Sequence, residues 1–205
     1  MSDAPISRGF FRRKERDDFG GRLPPGQHLV TDFPVLSAGP TPVPDLARWS
    51  FSLRRGGQII ARWNWQEFNA LPQTDLTVDI HCVTTWSKFD TRWRGVLVDT
   101  LFTVAGIEDP SGYAMLHCEG GYTTNVPIAD LVNGKAMVAT IYDGQPLPPP
   151  HGGPARMLVP HLYFWKSAKW VKSLDFMDSD APGFWEQLGY HIYGDPFREQ
   201  RYAGD

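Results

Sequence analysis

Thr77-Val78-Asp79-Ile80-His81-Cys82-Val83-Thr84-Thr85-Trp86-Ser87 is the stretch on which the reading of the fold turns. Its β-prone part, Thr77 to Val83, reads as a strand. It then breaks into a polar, aromatic turn that ends in Lys88, Asp90 and Arg92. The chain has only two cysteines, and this strand delivers one of them to the start of a loop. Loops carried on a rigid scaffold are where binding and catalytic groups concentrate. Two readings of Cys82 are open on this pattern. It is a small buried core thiol, since free cysteine is among the most buried residue types, or it is a ligand presented to a pocket.

Working outward, the neighbouring elements are short. Leu23 to Leu46 carries Pro24, Pro25, Pro34, Pro40, Pro42 and Pro44 and should run extended over a surface. Arg48–Leu53 and Gln58–Arg62 flank Arg54-Arg55-Gly56-Gly57 and read as a hairpin. Asn64 is placed to cap a helix over Trp65–Ala70, with Glu67 completing a capping box and Pro72 closing the segment. Val96–Ala105 has helical spacing of Val98, Leu101, Phe102 and Ala105, stopped by Gly106. Tyr113–Cys118, Ala136–Tyr142, Arg156–Val159 and Val171–Phe176 read as strands, and Pro127–Val132 as a short helix. No repeat and no long alternation of strands with helices is present, so the expected class is α+β, mixed sheets with short helices.

Length and charge narrow the function. A chain of 205 residues fits one domain with elaborated ends. The expected division is a polar N-terminal segment (1–22), a main domain (23–177) and an aromatic C-terminal tail packed on it (178–205). A net charge of −3 argues against nucleic acid or an anionic membrane as the main partner. Phe10-Phe11-Arg12-Arg13 is followed by polar residues rather than an apolar core, so no export signal is read and the cytoplasm is expected. No apolar run is long enough to cross a membrane.

Four clusters could carry chemistry: His81-Cys82 with Thr84 to Ser87; His117-Cys118-Glu119-Gly120-Gly121-Tyr122; His151-Gly152-Gly153-Pro154-Ala155-Arg156; and His161 to Trp170. The His-Cys pairs raise zinc, whose usual ligands they are. Adjacent strand residues point to opposite faces, however, and no C-x-x-C or H-x-x-x-H spacing supports a cage. The last two clusters look like an anion site. Two glycines let a ligand approach the backbone, and Arg156, Lys166 and Lys169 supply charged donors. Read singly, these cations are ordinary surface residues.

Together these clusters resemble the molybdopterin-binding domain of the sulfite oxidase family, nearest the branch of the bacterial protein-methionine-sulfoxide reductase catalytic subunit. Cys82-Val83-Thr84-Thr85-Trp86-Ser87 is similar to that branch's cysteine loop. The run His151, Gly152, Pro154, Arg156, Val159-Pro160, Lys166, Lys169 is the most specific part of the match. The resemblance implies a molybdenum–molybdopterin cofactor, with Cys82 as thiolate ligand of the metal. It implies that His151, Arg156, Ser167, Ala168 and Lys169 hold the pterin and its phosphate. Tyr122 resembles the family's tyrosine near the metal, His117 and Cys118 end the strand where the sulfoxide-reductase branch has a cofactor-contacting threonine, and Asp32 and Phe33 occupy the early segment that also reaches the site. Where sulfite oxidases carry arginines this chain has Trp86 and Ser87, and Thr84 replaces a carboxylate of the sulfoxide-reductase branch.

The implied activity is oxygen-atom transfer on a small S- or N-oxide or an oxyanion. Electrons would be exchanged with a separate haem or flavin protein, because no C-x-x-C-H haem attachment is present. A non-catalytic pterin- or anion-binding module and a small zinc protein are the alternatives.

Overall fold

The computed structural model describes residues 19–205. Residues 1–18 of the polar N-terminal segment lie outside that range. After a two-residue strand β1 (His28–Leu29) and a long irregular stretch, β2 (Ser50–Arg55) and β3 (Gln58–Asn64) form the expected antiparallel hairpin. Helix α1 (Trp65–Ala70) starts as its sequence dictates. Asn64 accepts a hydrogen bond from the Glu67 amide at 2.9 Å, and the Glu67 carboxylate accepts from the Asn64 amide at 2.8 Å. Both bonds satisfy amides that a helix start otherwise leaves unpaired.

β4 (Thr74–His81) then leads into β5 (Trp86–Leu97), and here the structure corrects the sequence reading. The polar turn expected to run as far as Arg92 is confined to a few residues around Val83–Thr85, and β5 beyond it is the longest strand among the described residues. Its charges alternate outward. Asp90, Arg92 and Arg94 are exposed, while Thr91, Trp93 and Gly95 are buried. The outward groups pair across the sheet, Arg92 with Asp143, Arg94 with Asp75, and Arg22 with both Asp79 and Asp90. Such exposed pairs add little stability, but they let a charged strand sit at a sheet surface. The helix expected at Val96–Ala105 correspondingly begins later, as α2 (Val98–Val104), because Val96 and Leu97 finish the strand.

The rest comprises β6 (Tyr113–Cys118), β7 (Thr123–Pro127), β8 (Met137–Tyr142), β9 (Gln145–Pro146), β10 (Arg156–Leu158), β11 (Val171–Met177) and α3 (Phe184–Gln187). The helix expected at Pro127–Val132 is only a 3-10 turn, Ile128–Asp130, since Pro127 closes β7.

Two mixed sheets result. In the first, β4 lies along one edge of β5, while the other edge takes parallel β1 at Trp86–Ser87 and antiparallel β8 at Trp93–Leu97; β10 and β9 extend from β8. The second runs β3-β2-β11-β6-β7, with β2 and β11 parallel. Around β10 and the start of β8 the first sheet is buried on both faces. Val96, Val138 and Met157 join the main core, which also holds Leu53, Leu116 and Leu174 of the second sheet. Met137, Ala139 and Leu158 point the other way, into a second cluster with Cys82, Trp86, Trp93 and Phe164. The period-2 alternation of strands explains why Met137–Ala139 is apolar throughout. The second cluster is where the cysteine loop meets the core.

Candidate functional site

The turn after β4 is tight. The Cys82 amide donates to Trp86 O at 2.9 Å, and the Thr85 amide donates to Cys82 O at 3.0 Å. Thr85 takes φ +76, a left-handed conformation that is a strong outlier for a β-branched residue. The geometry turns the Cys82 side chain toward a cavity of about 520 Å³. His81 goes the other way, into a bond between its Nδ1 and Ser87 Oγ at 2.9 Å, and does not line the cavity. Burial pushes the Cys82 thiol pKa up, against a hydrogen bond from Thr84 Oγ1 to its Sγ at 3.2 Å. Thr84 and Trp86 also line the cavity. Ser87, expected at its lip, is instead fully buried behind it, bonded to His81 and Gln27.

Opposite stand two cations. Arg156 opens β10 and is 1% exposed, yet among the described residues it has no carboxylate partner. Its guanidinium donates to His151 O at 2.8 Å and Ser167 O at 2.5 Å and lies 4.1 Å over the Phe164 ring. Lys169 Nζ donates to Leu36 O and Pro150 O, both at 2.6 Å. Burial, and then the nearby Arg156, draw the Lys169 pKa down to about 8. Arg156, Ser167, Ala168 and Lys169 all line the cavity. Ser167 contributes little free hydroxyl, because its Oγ accepts from the Val159 amide at 2.9 Å.

Other expected residues fall differently. Lys166, grouped with these cations by sequence, is not at the cavity. It is a buried ion pair with Glu186 at 2.7 Å and also donates to Asn125 O, Asn125 Oδ1 and Ile192 O. Gly152 and Gly153 do not open the backbone to a ligand. A Cβ on Gly153 would stand 1.9 Å from Leu147 O, and one on Gly152 would stand 3.1 Å from Lys169 Cα, so both exist for close packing. His151 stacks on Phe33 at 4.0 Å, with its Nδ1 buried and unbonded; burial followed by Arg156 and Lys169 lowers its pKa to about 4. Phe33 lines the cavity, whereas Asp32, exposed in a bend, does not. Cys118 lies in the main core with its thiol pushed up to about 12 by burial, also off the cavity. Tyr122 lines it and donates its hydroxyl to Trp165 O at 2.8 Å.

Trp165 and Trp170, in the cluster the sequence singled out, line the cavity; Phe184, Trp185 and Tyr190 from the C-terminal tail are walls that the sequence reading missed, and together they make the cavity strongly aromatic. The tail's aromatic content was the available signal, but it reads equally well as simple packing.

Residues 38–185 match the family described as the oxidoreductase molybdopterin binding domain. The chain belongs to this family. Among curated relatives, the uncharacterized oxidoreductase YuiH of Bacillus subtilis (strain 168) is 40% identical over 197 residues, spanning 96% of this chain and 100% of that one. YedZ1 of Azospira oryzae, described provisionally as a protein-methionine-sulfoxide reductase subunit, is 30% identical over 71% of this chain and 56% of its own length. The mitochondrial sulfite oxidase of Mus musculus is 23% identical over 92% of this chain, which spans 41% of that protein. Among solved structures, the sulfane dehydrogenase SoxCD of Paracoccus pantotrophus shares the fold, with a TM-score of 0.58 at 17% identity over 67% of this chain and 40% of that one.

The chain is therefore a molybdopterin-dependent oxidoreductase of the sulfite oxidase family, and its cofactor is molybdenum–molybdopterin. The residues present suit such a group. Two neighbouring cations with no carboxylate partner among the described residues call for a bound anion, since an uncompensated buried charge is costly. A soft thiol across the same cavity suits a redox-active metal. Among the described residues no three of His, Cys, Asp and Glu converge to hold a metal by themselves, and none of the helices is long and apolar enough to cross a membrane.

Proposed function

We propose that the chain transfers an oxygen atom to or from a small S- or N-oxide or an oxyanion, with Cys82 as the thiolate ligand of molybdenum. When bound, the cofactor supplies a metal that exchanges oxygen and electrons with the substrate. One observation carries the reading: the Cys82 thiol and the Arg156–Lys169 pair face one cavity. Arg156 and Lys169 bind the cofactor's phosphate through charge-assisted hydrogen bonds, with Ser167 and Ala168 shaping that end of the cavity. Phe33 flanks the pterin, and His151, which does not line the cavity, stacks behind it. Cys118 acts from outside the cavity wall, bracing the Tyr122 turn; its amide donates to Tyr122 O at 3.0 Å. Tyr122 serves the substrate. Rotation about its Cζ–Oη bond moves its proton from Trp165 O to an oxygen in the cavity.

Reducing an S-oxide to a sulfide consumes two electrons and two protons and releases water. The electrons come from a haem or flavin protein that docks on the chain. The aromatic walls exclude water and favour substrates with apolar substituents.

Metal analysis of protein made in a host that synthesises molybdopterin tests the reading. About one molybdenum per chain, lost in Cys82→Ser while the fold is kept, is the expected result, since the thiolate is the protein's bond to the metal. Full loading of Cys82→Ser would falsify the assignment. A dye-coupled screen of sulfite, S-oxides, N-oxides and protein-bound methionine sulfoxide then fixes the substrate and direction.

A further inference from the structure

The carbonyls of the cysteine turn are held from outside it. His81 O accepts from the Phe164 amide at 2.8 Å, and Thr85 O accepts from the His28 amide at 2.8 Å. Cys82 O accepts, besides the turn's own bond, a second from Gln27 Nε2 at 3.0 Å. Gln27 is buried, and its Oε1 meets Ser87 Oγ at 3.4 Å. Val83 O accepts from Arg201 Nη1 at 2.7 Å. Arg201 is itself fixed, with its guanidinium 5.1 Å over the Tyr163 ring and Nη2 reaching Pro25 O at 3.3 Å. Gln27 and Arg201 both lie outside the matched residues 38–185.

The turn needs such support. A threonine at φ +76 is strained and persists only where its surroundings over-determine it. A turn free to relax would swing the thiol, and a ligand must be held to within about 0.5 Å of its working position. We propose that Gln27 and Arg201 are positioning residues for Cys82. They clamp the two carbonyls at its turn from opposite ends of the chain and fix the thiol at the cavity. This rests on the reading of Cys82 as a metal ligand.

Cofactor-free protein carrying Cys118→Ser reports the clamp through the rate at which iodoacetamide alkylates Cys82. Arg201→Met and Gln27→Met should each speed alkylation at least roughly tenfold, the factor for one lost buried or charge-assisted hydrogen bond. Arg201→Lys should restore part of the protection, because an ammonium still reaches Val83 O. Gln200→Ala breaks a bond inside the tail, Gln200 Oε1 to the Asp195 amide at 3.1 Å, without touching the turn. It should leave the rate at the wild-type value. In the loaded protein, Arg201→Met should also alter the molybdenum(V) paramagnetic resonance spectrum of the fraction that retains metal.

Unchanged alkylation and an unchanged spectrum in both Arg201→Met and Gln27→Met overturn the proposal. So does equal acceleration by Gln200→Ala, which would make the effect general tail packing. Retention of molybdenum and of the wild-type spectrum by Cys82→Ser sinks the ligand reading instead, so the two failures are distinguishable.

Discussion

Lys169 shows how one side chain can be tuned by what is missing around it. It shares a cavity wall with Arg156 and faces no carboxylate among the described residues, and burial and then Arg156 bring its pKa to about 8. An anion in the cavity favours the charged lysine and so raises that value. Binding of sulfate, a dianion throughout this range, to cofactor-free protein should be level below about pH 8 and weaken above it. The fall should approach tenfold per pH unit while binding takes up one proton. Titration calorimetry on both sides of pH 8 checks this, and Lys169→Met should remove the pH dependence. His151, lowered to about 4, stays neutral throughout and adds nothing to the slope. Affinity that holds or rises above pH 8 rules Lys169 out as the anion's partner. The spacing of Arg156 and Lys169 was legible in the sequence, but the exclusion of Lys166 was not. Its burial depends on Glu186, which is near it only after folding.

β5 carries the corresponding lesson for elements. Its alternation from Asp90 to Gly95 is a strand pattern, yet the charges and the flanking polar turn read as loop. The arginines find acids only once β4, β8 and the Asp143 turn lie beside them. The β2–β3 hairpin, the α1 capping box and β6 were legible because their determinants are local. Where β5 meets β8 the register shifts at Arg94/Gly95, and a Cβ on Gly95 would lie 2.2 Å from Val138 O. Gly95→Ala should therefore destabilise by roughly 1–3 kcal/mol, as overpacking of a filled core does. Denaturant unfolding reads this as a lower midpoint at unchanged slope, and an unchanged midpoint would show that the strands can part there without cost.

At the scale of the whole molecule, the tail is joined to the body by a buried charge pair. Glu186 Oε1 takes Lys166 Nζ at 2.7 Å, Thr124 Oγ1 at 2.8 Å and Trp165 Nε1 at 2.9 Å, while its Oε2 is buried without a partner. Lys166→Met leaves the carboxylate buried and unpaired and should cost about 3–5 kcal/mol. Adding Glu186→Leu should recover only part of that, because Thr124 and Trp165 then lose their acceptor. Full recovery in the double variant would show that those two donors find other partners. Trp165 is a wall of the cavity, so the same variants should weaken sulfate binding.

The parallel pairing of β2 with β11 joins Ser52 to Ser173, and the cavity draws walls from Phe33 to Tyr190. Contacts this distant in sequence form late, after the cost of closing long loops has been met. No partial chain contains the cavity, so the cofactor cannot nucleate the fold in the way zinc organises a finger. Loading is a step that comes after folding, and the finished but empty protein is the species that any cofactor-delivery machinery must recognise.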